Sequence, residues 1–218
     1  ARLSPTRERL AGLHVLADDD PRWQRDPVEQ ARAACDAGAD VIQLRAKHAT
    51  DQVALAWARS IRSETRDAGA LFFVNDRFDL ALSAGADGVH LGQEDVPPGR
   101  IPDAVRRQLL VGRSTHSEEQ ALAACDEPVD YVAFGPVFGT ASKQSPWGAR
   151  GVEALAAVVR RVAPRRVVAI GGIDAANMRF VADAGAAAAV ISAVAGAADM
   201  GDATRALRHA LGHSAESA

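Results

Sequence analysis

The chain keeps only two lysines, Lys47 and Lys143, among its 25 Lys and Arg residues; all the others are arginine. Arginine presents a planar fork, whereas lysine is a compact ammonium on a flexible stem that acts as a point charge on a phosphate. Lysine kept at two places points to sites where a guanidinium does not serve. Both follow hydrophobic runs of strand type. One is Val41-Ile42-Gln43-Leu44-Arg45-Ala46-Lys47; the other is Tyr131-Val132-Ala133-Phe134-Gly135-Pro136-Val137, leading on to Lys143. Two surface lysines are the plain alternative. In a barrel of alternating strands and helices, the edge where strands end carries the active site.

Other polar residues collect at corresponding places. Gln43, Arg45 and Lys47 end the second run, and Asn75 and Asp76 the third. His90, then Gln93, Glu94 and Asp95, close the fourth, and Ser114, Thr115 and His116 the fifth. Thr140, Ser142 and Lys143 follow the sixth, whereas the seventh and eighth end in Gly171-Gly172 and Ile191-Ser192. Barrels commonly bind a phosphate at these last two loops through backbone N–H groups, and glycine lets an anion approach the chain. A tight turn with Asp174 as N-cap is the competing account.

Arg45, Lys47 and Lys143 supply three cations that one phosphate does not need, so a second, more highly charged anion is expected. Asn75 can donate to it through its amide. Asp76 and Asp95 offer hard oxygen ligands for Mg²⁺, which one or two carboxylates plus substrate phosphates usually hold. For Asp76 a helix N-cap is an equally good account, and carboxylates beside Arg and Lys also form plain salt bridges. His90 reads either as a hydrogen-bonded core residue or as a catalytic one. His48 and His116 are loop residues without an evident partner, and Ser117 with Gln120 reads as a capping box. No Ser-His-Asp or Cys-His grouping is legible. Schiff-base chemistry needs a desolvated lysine, which the polar neighbours of both lysines disfavour.

The elements that must position these residues alternate along the chain. β-branched runs predict strands near 13–18, 41–47, 71–76, 88–92, 110–115, 131–137, 166–173 and 187–194. Stretches of helical period predict helices near 28–37, 51–68, 77–84, 100–107, 117–124, 152–162, 175–184 and 202–211. Eight βα units without a long irregular linker predict a single-domain α/β protein, a (β/α)₈ TIM barrel. An open doubly wound sheet is the runner-up, but its Gly-rich first turn is missing after Leu16-Ala17-Asp18. The phrases Ala37-Gly38-Ala39-Asp40, Ala84-Gly85-Ala86-Asp87 and Ala184-Gly185-Ala186 mark helix ends, where glycine supplies the left-handed conformation. Residues 1–12 and 212–218 are expected to be flexible ends of one domain spanning 1–218.

The bulk numbers agree. A length of 218 residues suits one such barrel, and 48% hydrophobic with 24% charged residues is ordinary for a globular core. A net charge of −3 argues against a nucleic-acid-binding surface. Arg160-Arg161 and Arg165-Arg166 read as solvated charge at a helix C-terminus. Cys35 and Cys125 form no CxxC pair, no apolar run reaches the length of a membrane span, and no signal peptide precedes the first strand. A cytoplasmic protein is therefore expected.

Five segments taken together resemble thiamine phosphate synthase. They are Gln43-Leu44-Arg45-Ala46-Lys47, Val74-Asn75-Asp76-Arg77, Gly88-Val89-His90-Leu91-Gly92-Gln93-Glu94-Asp95, Gly135-Pro136-Val137-Phe138-Gly139-Thr140-Ala141-Ser142-Lys143 and Ala169-Ile170-Gly171-Gly172-Ile173. The resemblance runs from about residue 13 to 195. It implies a transferase that couples hydroxymethylpyrimidine diphosphate to a thiazole phosphate, or its carboxylate, giving thiamine phosphate and pyrophosphate with Mg²⁺ required. Carried over by motif, Arg45, Lys47, Asn75 and Lys143 would hold the pyrophosphate, with Ser114 adding a hydrogen bond. Asp76 and Asp95 would ligate Mg²⁺, and Gln43 would read the pyrimidine edge. Thr140, Ser142, Gly172, Ile191 and Ser192 would hold the thiazole phosphate. Ser142 stands where Thr is common, and Gly139 where Pro is frequent.

Two rivals share the barrel. The sister family that tautomerises an aminothiazole carboxylate phosphate typically carries a histidine after the sixth-strand glycine, where this chain has Pro136. A catalytically silent ligand-binding barrel would have lost clamp or metal residues, and none is missing. Residues 144–151 are a candidate lid by their Gly/Pro content. Partners are expected to be small-molecule substrates; a homo-oligomer is possible, but no apolar stripe is plain enough to name an interface.

Overall fold

The computed structural model describes residues 8–139 and 148–212. Eight parallel strands close into a barrel in sequence order, β1 next to β2 through to β8 and back to β1. They are β1 (Leu13–Asp18), β2 (Val41–Arg45), β3 (Leu71–Asn75), β4 (Gly88–Leu91), β5 (Leu110–Thr115), β6 (Tyr131–Phe134), β7 (Arg166–Ile170) and β8 (Ala187–Val190). The helices between them are α1 (Pro27–Asp36), α2 (Asp51–Ala68), α3 (Phe78–Ala84), α4 (Asp103–Arg106), α5 (Glu118–Cys125), α6 (Val152–Val162) and α7 (Met178–Asp183). The short α8 (Ser192–Ala195) and α9 (Met200–Gly212) follow β8.

Local rules account for the helices. In α2 the Thr50 hydroxyl caps the start by accepting from Val53 N–H, and Gly69 ends the helix at a φ of 69°. Its buried stripe, Ala54, Ala58, Ile61 and Thr65, follows the helical period onto the sheet. The helix expected over 100–107 shrinks to α4, because Pro102 has no N–H to donate and disfavours a helical residue before it. The strand expected to 194 stops at Val190, and the chain turns at Ile191 into α8.

The Ala-Gly-Ala-Asp phrase does more than end helices. Gly38, Gly85 and Gly185 take φ values of 85°, 67° and 78° at the helix ends. The carboxylates of Asp40 and Asp87 then accept N–H groups at the starts of β1 and β3, from Leu13 at 2.9 Å and from Phe72, the second residue of its strand, at 2.8 Å. Asp130 does the same for Val111 of β5 at 2.9 Å. Each aspartate satisfies a strand-end donor at the barrel floor that has no ladder partner. Leu10 also belongs to this floor: it is buried, and its carbonyl accepts from His14 Nε2.

Inside the barrel, alternate residues form stacked layers. Leu16, Val41, Leu71, Phe73, Tyr131, Val168, Ala187 and Ala189 fill the interior below the site. Gly88 and Gly112 leave room for the large rings: a Cβ at Gly88 would lie 2.3 Å from Phe73 Cε1. A second shell of apolar residues packs the outer strand faces against the helices. Each fully buried Leu, Val or Phe in these layers contributes about 1.5–3 kcal/mol.

Candidate active site

The C-terminal ends of β1 to β4 carry five side chains in two contacting groups, Asp18 with Arg45 and Lys47 with Asp76 and Asp95. Arg45 leaves β2 and meets the fully buried carboxylate of Asp18 on neighbouring β1, Nη1 to Oδ1 at 2.7 Å. The other Asp18 oxygen accepts from Trp23 Nε1 at 3.0 Å. Gln30 of α1 grips the Asp18 backbone on both sides, accepting from its N–H and donating to its carbonyl at 2.8 Å. The Arg45 guanidinium is thus anchored through one nitrogen on a buried carboxylate that is itself braced. Asp19 organises the next loop by accepting from the backbone N–H groups of Lys47, His48 and Ala49.

Lys47 is exposed and places its ammonium on Asp76 Oδ2. Asp76 follows Asn75 at the end of β3 and has a φ of 66°, a left-handed conformation uncommon outside glycine. The N-cap position of α3 is Arg77, without a side-chain cap, so Asp76 is not a helix cap. Asp95, after β4, accepts from Gly92 N–H at 2.6 Å and faces Asp76 within hydrogen-bonding reach.

Burial pushes both carboxyls up. For Asp76, hydrogen bonds from Lys47 and Asp95 outweigh burial and hold it below the ordinary carboxylate range. For Asp95, burial and the neighbouring Asp76 together raise it above that range. Two carboxyls held face to face crowd like charge, and a divalent cation relieves that crowding. The donor set therefore fits Mg²⁺: two hard carboxylates, with no third His, Cys, Asp or Glu grouped with them among the described residues. The remaining coordination positions would fall to water and substrate oxygens.

Further round the rim, Gln43 is buried in the layer beneath Arg45, and Asn75 is half-buried beside Asp76. The Ser114 hydroxyl lies 2.8 Å from His90 Nε2, and the other ring nitrogen of His90 lies 2.8 Å from the Tyr131 hydroxyl. Sequence reasoning left His90 open and passed over Tyr131 and Asp18. His116, expected to lack a partner, hydrogen-bonds the Gly135 carbonyl through Nδ1 at 2.7 Å. Ser117 caps α5 as expected, but Gln120 returns to His116 N–H instead of closing the box on Ser117.

At the last two loops, Gly171 and Gly172 have φ values of 103° and 66°. Their missing Cβ atoms would collide with Pro136 and with the Gly139 carbonyl, at 2.5 Å and 2.3 Å. Close approach of the loop after β6 therefore requires these glycines, whatever they bind. Asp174 accepts from Ala176 and Asn177 N–H, so the tight-turn account also holds. The Gly172 N–H makes no hydrogen bond among the described residues, and Ile191 and Ser192 stand at the turn from neighbouring β8 into α8. Thr140, Ser142, Lys143 and residues 144–147 of the candidate lid lie outside the described residues. Where the chain resumes, Arg150 and Gly151 N–H groups are bonded to the carbonyls of Pro136 and Val137.

The barrel and its polar rim define a (β/α)₈-barrel enzyme. The model of the family described as thiamine monophosphate synthase matches residues 13–194. A thiamine-phosphate synthase of Anaeromyxobacter dehalogenans is 50% identical over 197 residues, covering 88% of this chain and 84% of the relative. One from Methanoculleus marisnigri is 46% identical over 197 residues, covering 90% and 93%. The solved thiamine phosphate pyrophosphorylase of Pyrococcus furiosus superposes with a TM-score of 0.85 at 39% identity, covering 95% of this chain and 98% of that one. The chain belongs to the thiamine monophosphate synthase family, and it is a transferase.

Proposed function

We propose that this chain joins hydroxymethylpyrimidine diphosphate to a thiazole phosphate, releasing pyrophosphate and forming thiamine phosphate. The observation that carries the reading is the rim cluster of Arg45 on Asp18 and Lys47 on Asp76, with Asp95 beside it. Its cations and paired carboxyls match what a diphosphate and its metal demand. The C–O bond from the pyrimidine CH₂ to the diphosphate breaks, and both electrons leave with pyrophosphate. The thiazole nitrogen lone pair then forms the new C–N bond, and the positive charge comes to rest on the thiazolium. An electron-rich aminopyrimidine spreads the charge of the intervening cation, so catalysis is chiefly stabilisation of the leaving group and positioning of the two rings.

Arg45, already immobilised by Asp18, presents its remaining N–H groups to the diphosphate, with Lys47, Lys143 and the Asn75 amide as further donors. Ser114 adds a hydrogen bond to the leaving group, and Gln43 reads the pyrimidine edge. Asp76 and Asp95 would hold Mg²⁺, which supplies charge neutralisation of the departing pyrophosphate. The thiazole phosphate is taken by Thr140, Ser142 and the backbone at Gly172, Ile191 and Ser192. No general base is required, because the nucleophilic nitrogen carries no proton to remove. No helix among the described residues is long and apolar enough to cross a membrane, and we assign the enzyme to the cytoplasm, where small phosphorylated substrates are found.

Purified protein with both substrates and Mg²⁺ should yield thiamine phosphate, read by oxidation to its fluorescent derivative. Product that needs both substrates and disappears with chelator supports the assignment; no product from folded protein overturns it.

A further inference from the structure

We infer that Tyr131 is a positioning residue that sets the tautomer of His90 and thereby frees the Ser114 O–H to donate to the leaving diphosphate. The inference rests on the role proposed above for Ser114 and adds what makes that role possible.

Tyr131 points into the barrel from β6 and is 1% exposed. Phe73 and His14 meet its ring edge-on, with centroids 5.9 Å and 5.7 Å away, and the His90 ring stacks on it at 5.5 Å. Its hydroxyl has one hydrogen-bond partner among the described residues, His90 Nδ1 at 2.8 Å. The opposite nitrogen, Nε2, is 2.8 Å from Ser114 Oγ. Tyr131, His90 and Ser114 therefore form a string from the barrel interior to the rim.

Only one direction of donation along that string satisfies every group. If Nδ1 carried the proton, it would donate to the phenolic oxygen, and the Tyr131 O–H would be a buried donor without an acceptor. Nε2 would then be a lone pair that draws the Ser114 proton inward, leaving serine lone pairs facing an anion. If instead Tyr131 O–H donates to Nδ1, the proton sits on Nε2. His90 then donates to Ser114 Oγ, and the serine hydroxyl points its hydrogen outward. Burial raises the Tyr131 phenol far above its usual range, so it stays a donor. A neutral imidazole in one tautomer thus converts a hidden phenol into the orientation of a rim hydroxyl.

The neighbouring strand is shaped for this contact. A Cβ at Gly112 of β5 would lie 2.2 Å from Tyr131 Cζ, 2.5 Å from its oxygen and 2.6 Å from His90 Nδ1. Glycine within a strand weakens it and is retained where other atoms approach closely. Here the approaching atoms are the two partners of the hydrogen bond.

The test begins without substrate, so its outcome does not depend on the activity. The full chain, labelled with ¹⁵N-histidine, is examined by multiple-bond proton–nitrogen correlation near neutral pH, and the His90 signals are those lost in His90→Asn. Protonated Nε2 with unprotonated Nδ1 is expected in the unaltered chain, and a mixture of tautomers in Tyr131→Phe. A protonated Nδ1 in the unaltered chain overturns the inference even if Tyr131→Phe does not fold. Kinetics add a second readout. Tyr131→Phe should lower kcat about tenfold, as for one hydrogen bond strengthened in the transition state, with KM for either substrate changed less than about twofold. In the Ser114→Ala background, Tyr131→Phe should cost nothing further; independent, multiplying losses would show that Tyr131 does not act through Ser114.

Discussion

Asp18→Asn is the substitution that most directly asks whether the diphosphate clamp is built or merely present. The amide keeps the shape and one acceptor, but it removes the charge that faces Arg45 Nη1 at 2.7 Å. Removing one partner of a buried ion pair costs about 3–5 kcal/mol when the other charge is stranded. The Arg45 side chain is 15% exposed while that of Asp18 is fully buried, so water reaches the arginine and recovers part of this. We expect a loss near 2 kcal/mol, a fall in melting temperature of roughly 5 °C for a domain of this size. The functional effect is separable from stability. An Arg45 no longer anchored must be ordered by the substrate itself. KM for the diphosphate substrate should therefore rise on the order of tenfold, while KM for the thiazole phosphate stays put. Urea unfolding and steady-state fluorescence assays at a temperature where both proteins are folded give the two quantities. An unchanged diphosphate KM alongside the stability loss would mean that Asp18 only holds the fold, and the clamp argument would fail.

Other consequences are as direct. Burial depresses His14 from 6.5 to about 4, so between these values the unfolded chain takes up a proton that the folded chain refuses. Its contribution to stability is therefore lost as pH falls from 6.5 to about 4, amounting to about 3 kcal/mol at 1.36 kcal/mol per pH unit. Urea unfolding of His14→Gln should show a shallower acid slope, and parallel curves for the two proteins would refute this. Gly112→Ala should destabilise by about 1–3 kcal/mol, because its Cβ overlaps Tyr131, and kcat should fall in folded protein; calorimetry and kinetics check both. Asp95→Asn should raise the Mg²⁺ concentration giving half-maximal rate at least about tenfold, and an unchanged Mg²⁺ titration would remove Asp95 from the metal site. Lys47→Arg should raise that concentration too, and its Mg²⁺ titration should separate from that of unaltered protein.

The eight βα units were legible because hydrophobic period and helix-ending glycines are local signals. The grouping of Arg45, Lys47, Asp76 and Asp95 on one rim was legible because each lies at or within a few residues of a strand's C-terminal end, where a barrel's strands converge. Asp18 was not: it reads as the last residue of an apolar strand, and its partner Arg45 lies 27 residues away. Tyr131 sits in a run that reads as core, and its hydroxyl meets His90 across 41 residues. A signal for that contact did exist in Gly112, an isolated glycine within a strand, which marks close approach without naming what approaches. Likewise Asp40 and Asp87 were visible as a repeated phrase, but their bonds to Leu13 and Phe72 N–H at the starts of β1 and β3 depend on strand register.

The unequal use of lysine and arginine acquires a physical reason at the rim. Arg45 is pre-organised because Asp18 already engages one nitrogen of a planar fork, so the rest of the guanidinium points one way. Lys47 does the opposite task. It is exposed, reaches Asp76 as a single charge, and leaves the second oxygen of that carboxylate uncovered by any lysine or arginine among the described residues. A guanidinium in its place would cover both oxygens in a bidentate pair and compete directly with a cation for Asp76. Under the proposed metal reading, a lysine would give up Asp76 to Mg²⁺ and carry its ammonium to a phosphate. On that reading, an anchored fork stands beside a movable point charge, and the two tasks call for different side chains.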